Sequence, residues 1–163
     1  MKNVVPKFER PLKSKADPSV DVAHWDKAMD AYDAKDFRKA LLETINYINP
    51  ALLSGKALDE NISIIQGQGS AHVHIEIDSD TFSVKVPFLS VVESTNKVAL
   101  YRKIAEVNFN PLTLAQIRLK ENTLWFEYDT PIALCQPYKV YDVLREISVY
   151  ADNYDDEFID KYK

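Results

Sequence analysis

The sequence predicts an α+β domain of two layers, an antiparallel sheet of about five strands with helices on one face, in the order ααβββαββα. Three observations carry this. Apolar residues between about 21 and 50 recur at the period of about 3.6 residues that marks one side of a helix. From Ile62 to Phe88 the period drops to about 2, which marks a strand with one buried face. The same change of period then recurs once more before the chain ends.

The first helix follows Asp21, a natural N-cap, and aligns Trp25, Ala28, Met29 and Tyr32 along one face. After the short DAKD link, Asp36 caps a second helix that aligns Phe37, Ala40, Leu41, Thr44, Ile45 and Ile48 and stops at Asn49 and Pro50. So short a link makes the pair antiparallel. Ile62 and Ile64 open a first strand, and Gly67 and Gly69 supply a bulge or turn before Ala71. The runs AHVHIEID and TFSVKVPF then form a hairpin around Ser79 and Asp80, which sets Ile77 against Phe82, Ile75 against Val84 and Val73 against Val86. A third helix, from about Thr95 to Asn108, is capped by the Ser94, Thr95 and Asn96 cluster, is stopped by Asn110 and Pro111, and offers Val98, Tyr101, Ile104 and Ala105 to the core. A second hairpin turns at Glu121 and Asn122, pairing Leu119 with Leu124, Ile117 with Phe126 and Ala115 with Tyr128. The final helix, from about Tyr138, buries Val140, Val143, Leu144, Ile147, Ala151, Tyr154 and Phe158, and its acidic DNYDDEF end is expected to be exposed and frayed, because anions oppose the dipole at a helix C-terminus.

The totals narrow the classes of function. With 163 residues, the chain suits one domain that buries roughly 70% of its unfolded surface, and no staple is needed to hold it. Residues 1–20 carry Lys2, Lys7, Arg10, Lys13 and Lys15 among prolines and read as a mobile basic arm before a single domain over 21–163, with the helical hairpin at 21–55 and the sheet and its helices at 61–163. A net charge of −5 opposes the phosphate backbone, so nucleic acid is not an expected partner. No apolar run is long enough to span a membrane, and the N-terminus lacks a secretory h-region, so the expected compartment is the cytoplasm and no membrane partner is expected. The single Cys135 has no metal-ligand spacing and reads as a small buried hydrophobe.

The stretch KIAEVNFNPLTLAQIRLKENTLWFEYDTPIALCQPYKVYDVLREISVYADNYDDEFI, with three strands before it, resembles the type III secretion chaperone-like superfamily, especially its bacterial sensory transduction regulator family. The resemblance covers residues 61–163 and is one of pattern, carried by a helix ending in an Asn-containing turn, a hairpin with a charged loop, and a last helix ending in acids and an apolar pair. It implies a module that binds partner polypeptides and is often a homodimer. WDKAMDAYDAKDFRKALLETINYINP is similar to one tetratricopeptide unit through Trp25, Tyr32, Phe37 and Ala40, although its loop is one residue short and Lys35 stands at the usual small turn residue. No second copy follows at the repeat distance of about 34 residues, so the hairpin caps the sheet domain and forms no solenoid.

Candidate sites are few. Strand parity sends Trp125 to the polar face opposite Arg118, and two readings stand: a cation–π pair that completes the surface, or the centre of a protein contact. Arg118 and Trp125 are therefore the candidate partner-binding residues. His72, His74 and Glu76 share a strand face and could hold a transition metal, but the register sets Lys85 opposite His74, and a cation there opposes metal binding. Solvent-facing residues of an amphipathic strand account for them, so no metal or other cofactor is expected. Trp25, Tyr32 and Phe37 could line a peptide groove, though core packing accounts for them as well. His24 sits beside Trp25 on a helix, Gly55, Gly67 and Gly69 form no phosphate cradle, Asp155 and Asp156 read as solvated acids, and no nucleophile has an elbow-like setting, so no catalytic residue is expected.

Overall fold

The computed structural model describes residues 23–68 and 70–163. The basic arm and the Asp21 cap lie outside them. The first helix, α1 (Ala23–Asp33), is joined to α2 (Phe37–Ile48) by a tight turn. Asp36 caps α2 by accepting the Lys39 N–H. The turn is a Schellman closure: the Asp36 N–H reaches the Ala31 carbonyl at 2.9 Å, with Lys35 left-handed at φ 62°. The residue standing in for the usual small one thus occupies the strained position. After Asn49 the chain makes a 3₁₀ turn over Pro50–Leu53.

Five strands follow, β1 (Ile62–Gln68), β2 (Ala71–Ile77), β3 (Thr81–Ser90), β4 (Gln116–Lys120) and β5 (Thr123–Pro131), all antiparallel and in the order β1-β2-β3-β5-β4. The third helix, α3 (Lys97–Phe109), links β3 to β4, and α4 (Pro137–Tyr162) closes the domain. The β2–β3 register pairs Ile77 with Phe82 and Ile75 with Val84, as the alternation requires. That ladder ends at His74–Lys85, so the expected Val73–Val86 pair falls beyond it. The β4–β5 hairpin pairs Leu119 with Leu124 and Ile117 with Phe126. Glu121 and Asn122 both adopt positive φ, 48° and 65°, the primed turn that matches strand twist. Ala115 precedes that ladder but is still buried.

All the described helices serve the same side of the sheet. The apolar stripe of α4, from Val140 to Phe158, is buried throughout against the strands. Trp25 contacts Tyr47 of α2 and Tyr138 of α4, with ring centroids 5.1 and 4.8 Å apart, so α1 and α2 lean on α4. Lys103 of α3 pairs with Glu157 of α4 at 3.1 Å, which puts α3 in the same layer.

Four expectations are corrected. In α3 the residues turned inward are Leu100, Ile104 and Val107, whereas Val98 and Tyr101 are exposed, as is Ala105. Apolar residues lie all round this helix, and the side that packs is the one facing β4 and α4. Second, the DNYDDEF segment of α4 is helical and largely covered: Asp152 and Asp155 are buried and receive the Ser70 N–H at 3.0 Å and its hydroxyl at 2.7 Å. The β1–β2 turn thus supplies donors that offset the unfavourable position of these anions. Third, β3 carries a bulge between Pro87 and Leu89, which turns both Phe88 and Leu89 inward. Of the bulge or turn expected around Gly67 and Gly69, the turn holds, since the β1–β2 register runs unbroken through Gly67 to the Gln68–Ala71 pair. Fourth, Leu119 shares the core face but overhangs the sheet edge and is largely exposed.

Candidate functional site

Cross-strand register lays the polar face out in rows. One row crosses all five strands as Ile65, His74, Lys85, Glu127 and Gln116. A neighbouring row runs Pro87, Trp125, Arg118, and another runs Ser63, Glu76, Ser83, Asp129. His72, by strand parity with His74, lies on the same side. None of the described helices packs there, because their buried stripes all join the core on the opposite face.

The face is held by its own charges. Glu76 accepts from Lys85 at 3.0 Å. Arg118 Nη1 donates to Asp129 at 2.7 Å and to Glu127 at 3.3 Å, and Lys120 Nζ reaches Glu127 at 2.7 Å. The Asp129 hydrogen bond foremost, with the Asp129 and Glu127 charges behind it, holds the guanidinium above its ordinary value against desolvation by partial burial, the second-largest effect. Glu127 is distinctive: its side chain is only 4% exposed although it stands on the water-facing side. A carboxylate covered to that extent requires paired cations, and Arg118 and Lys120 provide them.

Arg118 and Trp125 are therefore brought together as cross-strand neighbours, but the guanidinium turns to the carboxylates and not onto the indole. The cation–π contacts among the described residues are Lys103 over Tyr154 and Lys139 over Tyr128. This removes the cation–π account of Trp125. Its half-buried ring lies between Pro87 and Arg118, with part of its surface in water.

Other sequence candidates are engaged elsewhere. Glu76 is paired with Lys85, and among the described residues no three His, Cys, Asp or Glu side chains gather closely enough to hold a metal ion. His24 pairs with Glu43, tying α1 to α2. Trp25 is packed between helices, and Tyr32 meets Phe37 at 5.3 Å and donates its hydroxyl to the Ala133 carbonyl at 3.0 Å. Burial pushes the Cys135 thiol up to about 12, with Lys139 opposing weakly, so little nucleophilic thiolate exists at neutral pH. Among the described residues no helix is long and apolar enough to cross a membrane.

Two features escaped the sequence reading. One is the α3 ridge, where Val98 is 73% and Phe109 91% exposed. Its signal was an apolar set too wide for one stripe. The other is Glu146 on α4, which accepts from Thr113 N, Thr113 Oγ1, Leu114 N and Ala115 N at 2.6, 2.8, 2.9 and 2.7 Å and so anchors the approach to β4. No local pattern signals that bond set, which joins segments more than thirty residues apart.

No protein-family model matches the chain, and a comparison with curated proteins yields no match.

Proposed function

We propose that this chain is a non-enzymatic, cytoplasmic protein-binding module, chaperone-like or regulatory, that docks a partner polypeptide on the open sheet face around Arg118 and Trp125. The observation that carries the reading is the side of the five-stranded sheet on which none of the described helices packs, with its ion pairs already assembled and the Trp125 indole beside them. Charges held in place by one another lose little side-chain entropy when a partner arrives, and a half-exposed Trp is the residue type that most often anchors a protein contact. The exposed apolar ridge of α3 supports protein binding as well, because solvent-facing patches of that kind are commonly covered by another chain. The likeness to the type III secretion chaperone-like superfamily agrees in element order and in the class of ligand. A scaffold role through the N-terminal hairpin is less well supported, since Trp25 and Tyr32 are spent on internal contacts.

The test is partner capture by the full chain and by Trp125→Ala. Truncating an anchor should weaken the complex at least about tenfold, roughly 1.4 kcal/mol, with circular dichroism and thermal midpoint close to wild type. An unchanged affinity in a folded variant removes this face from the binding site.

A further inference from the structure

The sheet has two outer strands, and they are treated differently. β4 has five residues and carries Arg118 and Lys120. Its outer side is closed by Asn108, whose Oδ1 accepts the Ile117 N–H at 2.6 Å and whose Nδ2 donates to the Ile117 carbonyl at 3.0 Å. The edge at β1 has seven residues, ISIIQGQ, with no charge and no proline. Lys56 Nζ donates to the Ser63 carbonyl at 2.7 Å, so the Ser63 backbone points away from β2. Strand alternation turns Ile65 and Gly67 the same way. Gln66 Nε2 covers the Gly67 carbonyl at 3.0 Å, while parity directs the Ile65 N–H and carbonyl outward, away from β2. The Ile65 side chain is 62% exposed.

We propose that β1 is a self-pairing edge, at which two copies of this chain join antiparallel about a two-fold axis through Ile65 to make one continuous sheet. The argument for a second copy, and not an unrelated peptide, is the strand's match to itself. Centred on Ile65, the two-fold sets Ile65 against Ile65 of the second copy and Ser63 against its Gly67, where a Cβ would meet nothing within 4 Å. Each such pair exchanges both N–H···O bonds. A two-fold also sets the residue on the axis against its own duplicate, so a charge at the centre of the strand repels itself. β4 centred on Arg118 would do so, and the neutral β1 does not. The Ile65 pair lies at the seam, on the face that carries His74, Lys85 and Glu127, and the join therefore makes the two open faces continuous. Lys56 acts as the guard: its ammonium occupies the Ser63 carbonyl that the second copy needs, in the way edge lysines restrain strand addition.

Sedimentation velocity over a concentration series on the full chain, with amide hydrogen exchange, tests this without reference to any partner. Wild type should dimerise with concentration, Lys56→Ala should dimerise several-fold more tightly, and Ile65→Lys, which puts two ammoniums at the seam of an exposed position, should raise Kd at least about tenfold. The amides of Ser63, Ile65 and Gly67 should gain protection as dimer forms. The proposal is overturned if wild type and Lys56→Ala both stay monomeric at millimolar concentration, or if Ile65→Lys leaves a dimer unchanged. Trp125→Ala should leave dimerisation intact, so failure at β1 and failure of the docking face are separable.

Discussion

Glu146→Ala is the perturbation whose consequence is clearest in the structure. The carboxylate accepts three consecutive backbone N–H groups and one hydroxyl from residues 113–115, all at 2.6–2.9 Å. Hydrogen bonds to a charged group contribute about 1.5–3 kcal/mol each where water cannot replace them. Thr113 is exposed and can turn to water, which leaves the half-buried Leu114 amide and the buried Ala115 amide to bear most of the loss. Two such bonds, reduced for partial access of water, amount to about 3–4 kcal/mol. For a chain of this size that lowers the thermal midpoint by about 6–16 °C, at roughly 2–4 °C per kcal/mol. Glu146→Gln keeps one acceptor oxygen and loses the charge, and should cost about half as much. Urea unfolding read by circular dichroism gives the stability difference, and hydrogen exchange at Thr113, Leu114 and Ala115 shows whether it arises there. A midpoint moved by no more than the ~0.5 kcal/mol of an ordinary surface change would refute the reasoning. The effect has a functional side, because these residues lead directly into β4, and Arg118 is placed by the β4–β5 register.

Two further outcomes follow from single residues. Lys35→Gly should stabilise the protein by about 0.5–1 kcal/mol in thermal or urea unfolding, since Lys35 sits at φ 62° where glycine carries no Cβ penalty, and a loss of stability would mean that the Lys side chain is held by contacts worth more than the strain. Cys135 should resist alkylation in the folded protein and label readily in urea, because burial raises its thiol to about 12. The folded state keeps a proton that the unfolded chain gives up near the ordinary thiol value, so this contribution to stability is complete below that value and is lost as the pH climbs towards 12; equal labelling rates in both states would contradict it.

The covered carboxylate gives the open face its character. Glu127 makes Arg118 and Lys120 part of the sheet's structure as well as of its surface, because removing either leaves a buried anion short of a partner. A partner chain arriving there meets fixed charges with known neighbours. Such a surface selects by charge pattern, with Trp125 supplying the apolar contact.

Much of this was legible in the residue order. Two-residue alternation with two-residue loops at Ser79–Asp80 and Glu121–Asn122 specified both hairpin registers, because a slip by one would turn every apolar side chain into water. The same parity put His72, Lys85, Arg118 and Trp125 on one side. The α4 stripe was equally plain, since its apolar residues recur at helical spacing over five turns. What the one-dimensional pattern leaves open is any choice between local alternatives that a distant segment makes. Helix α3 offers apolar residues on more than one side, and contact with β4 and α4 selected Leu100, Ile104 and Val107. Whether Asp155 is solvated or buried depends on Ser70, eighty-five residues away in the chain. Arg118 could have lain on the Trp125 ring or on carboxylates, and it pairs with Glu127 and Asp129 of β5. Periodicity and turn chemistry are short-range, so residue order settled the elements, their faces and their registers. Burial of charge, choice of ion-pair partner and the packed side of a helix depend on what the rest of the chain brings alongside, and only the folded arrangement decided them.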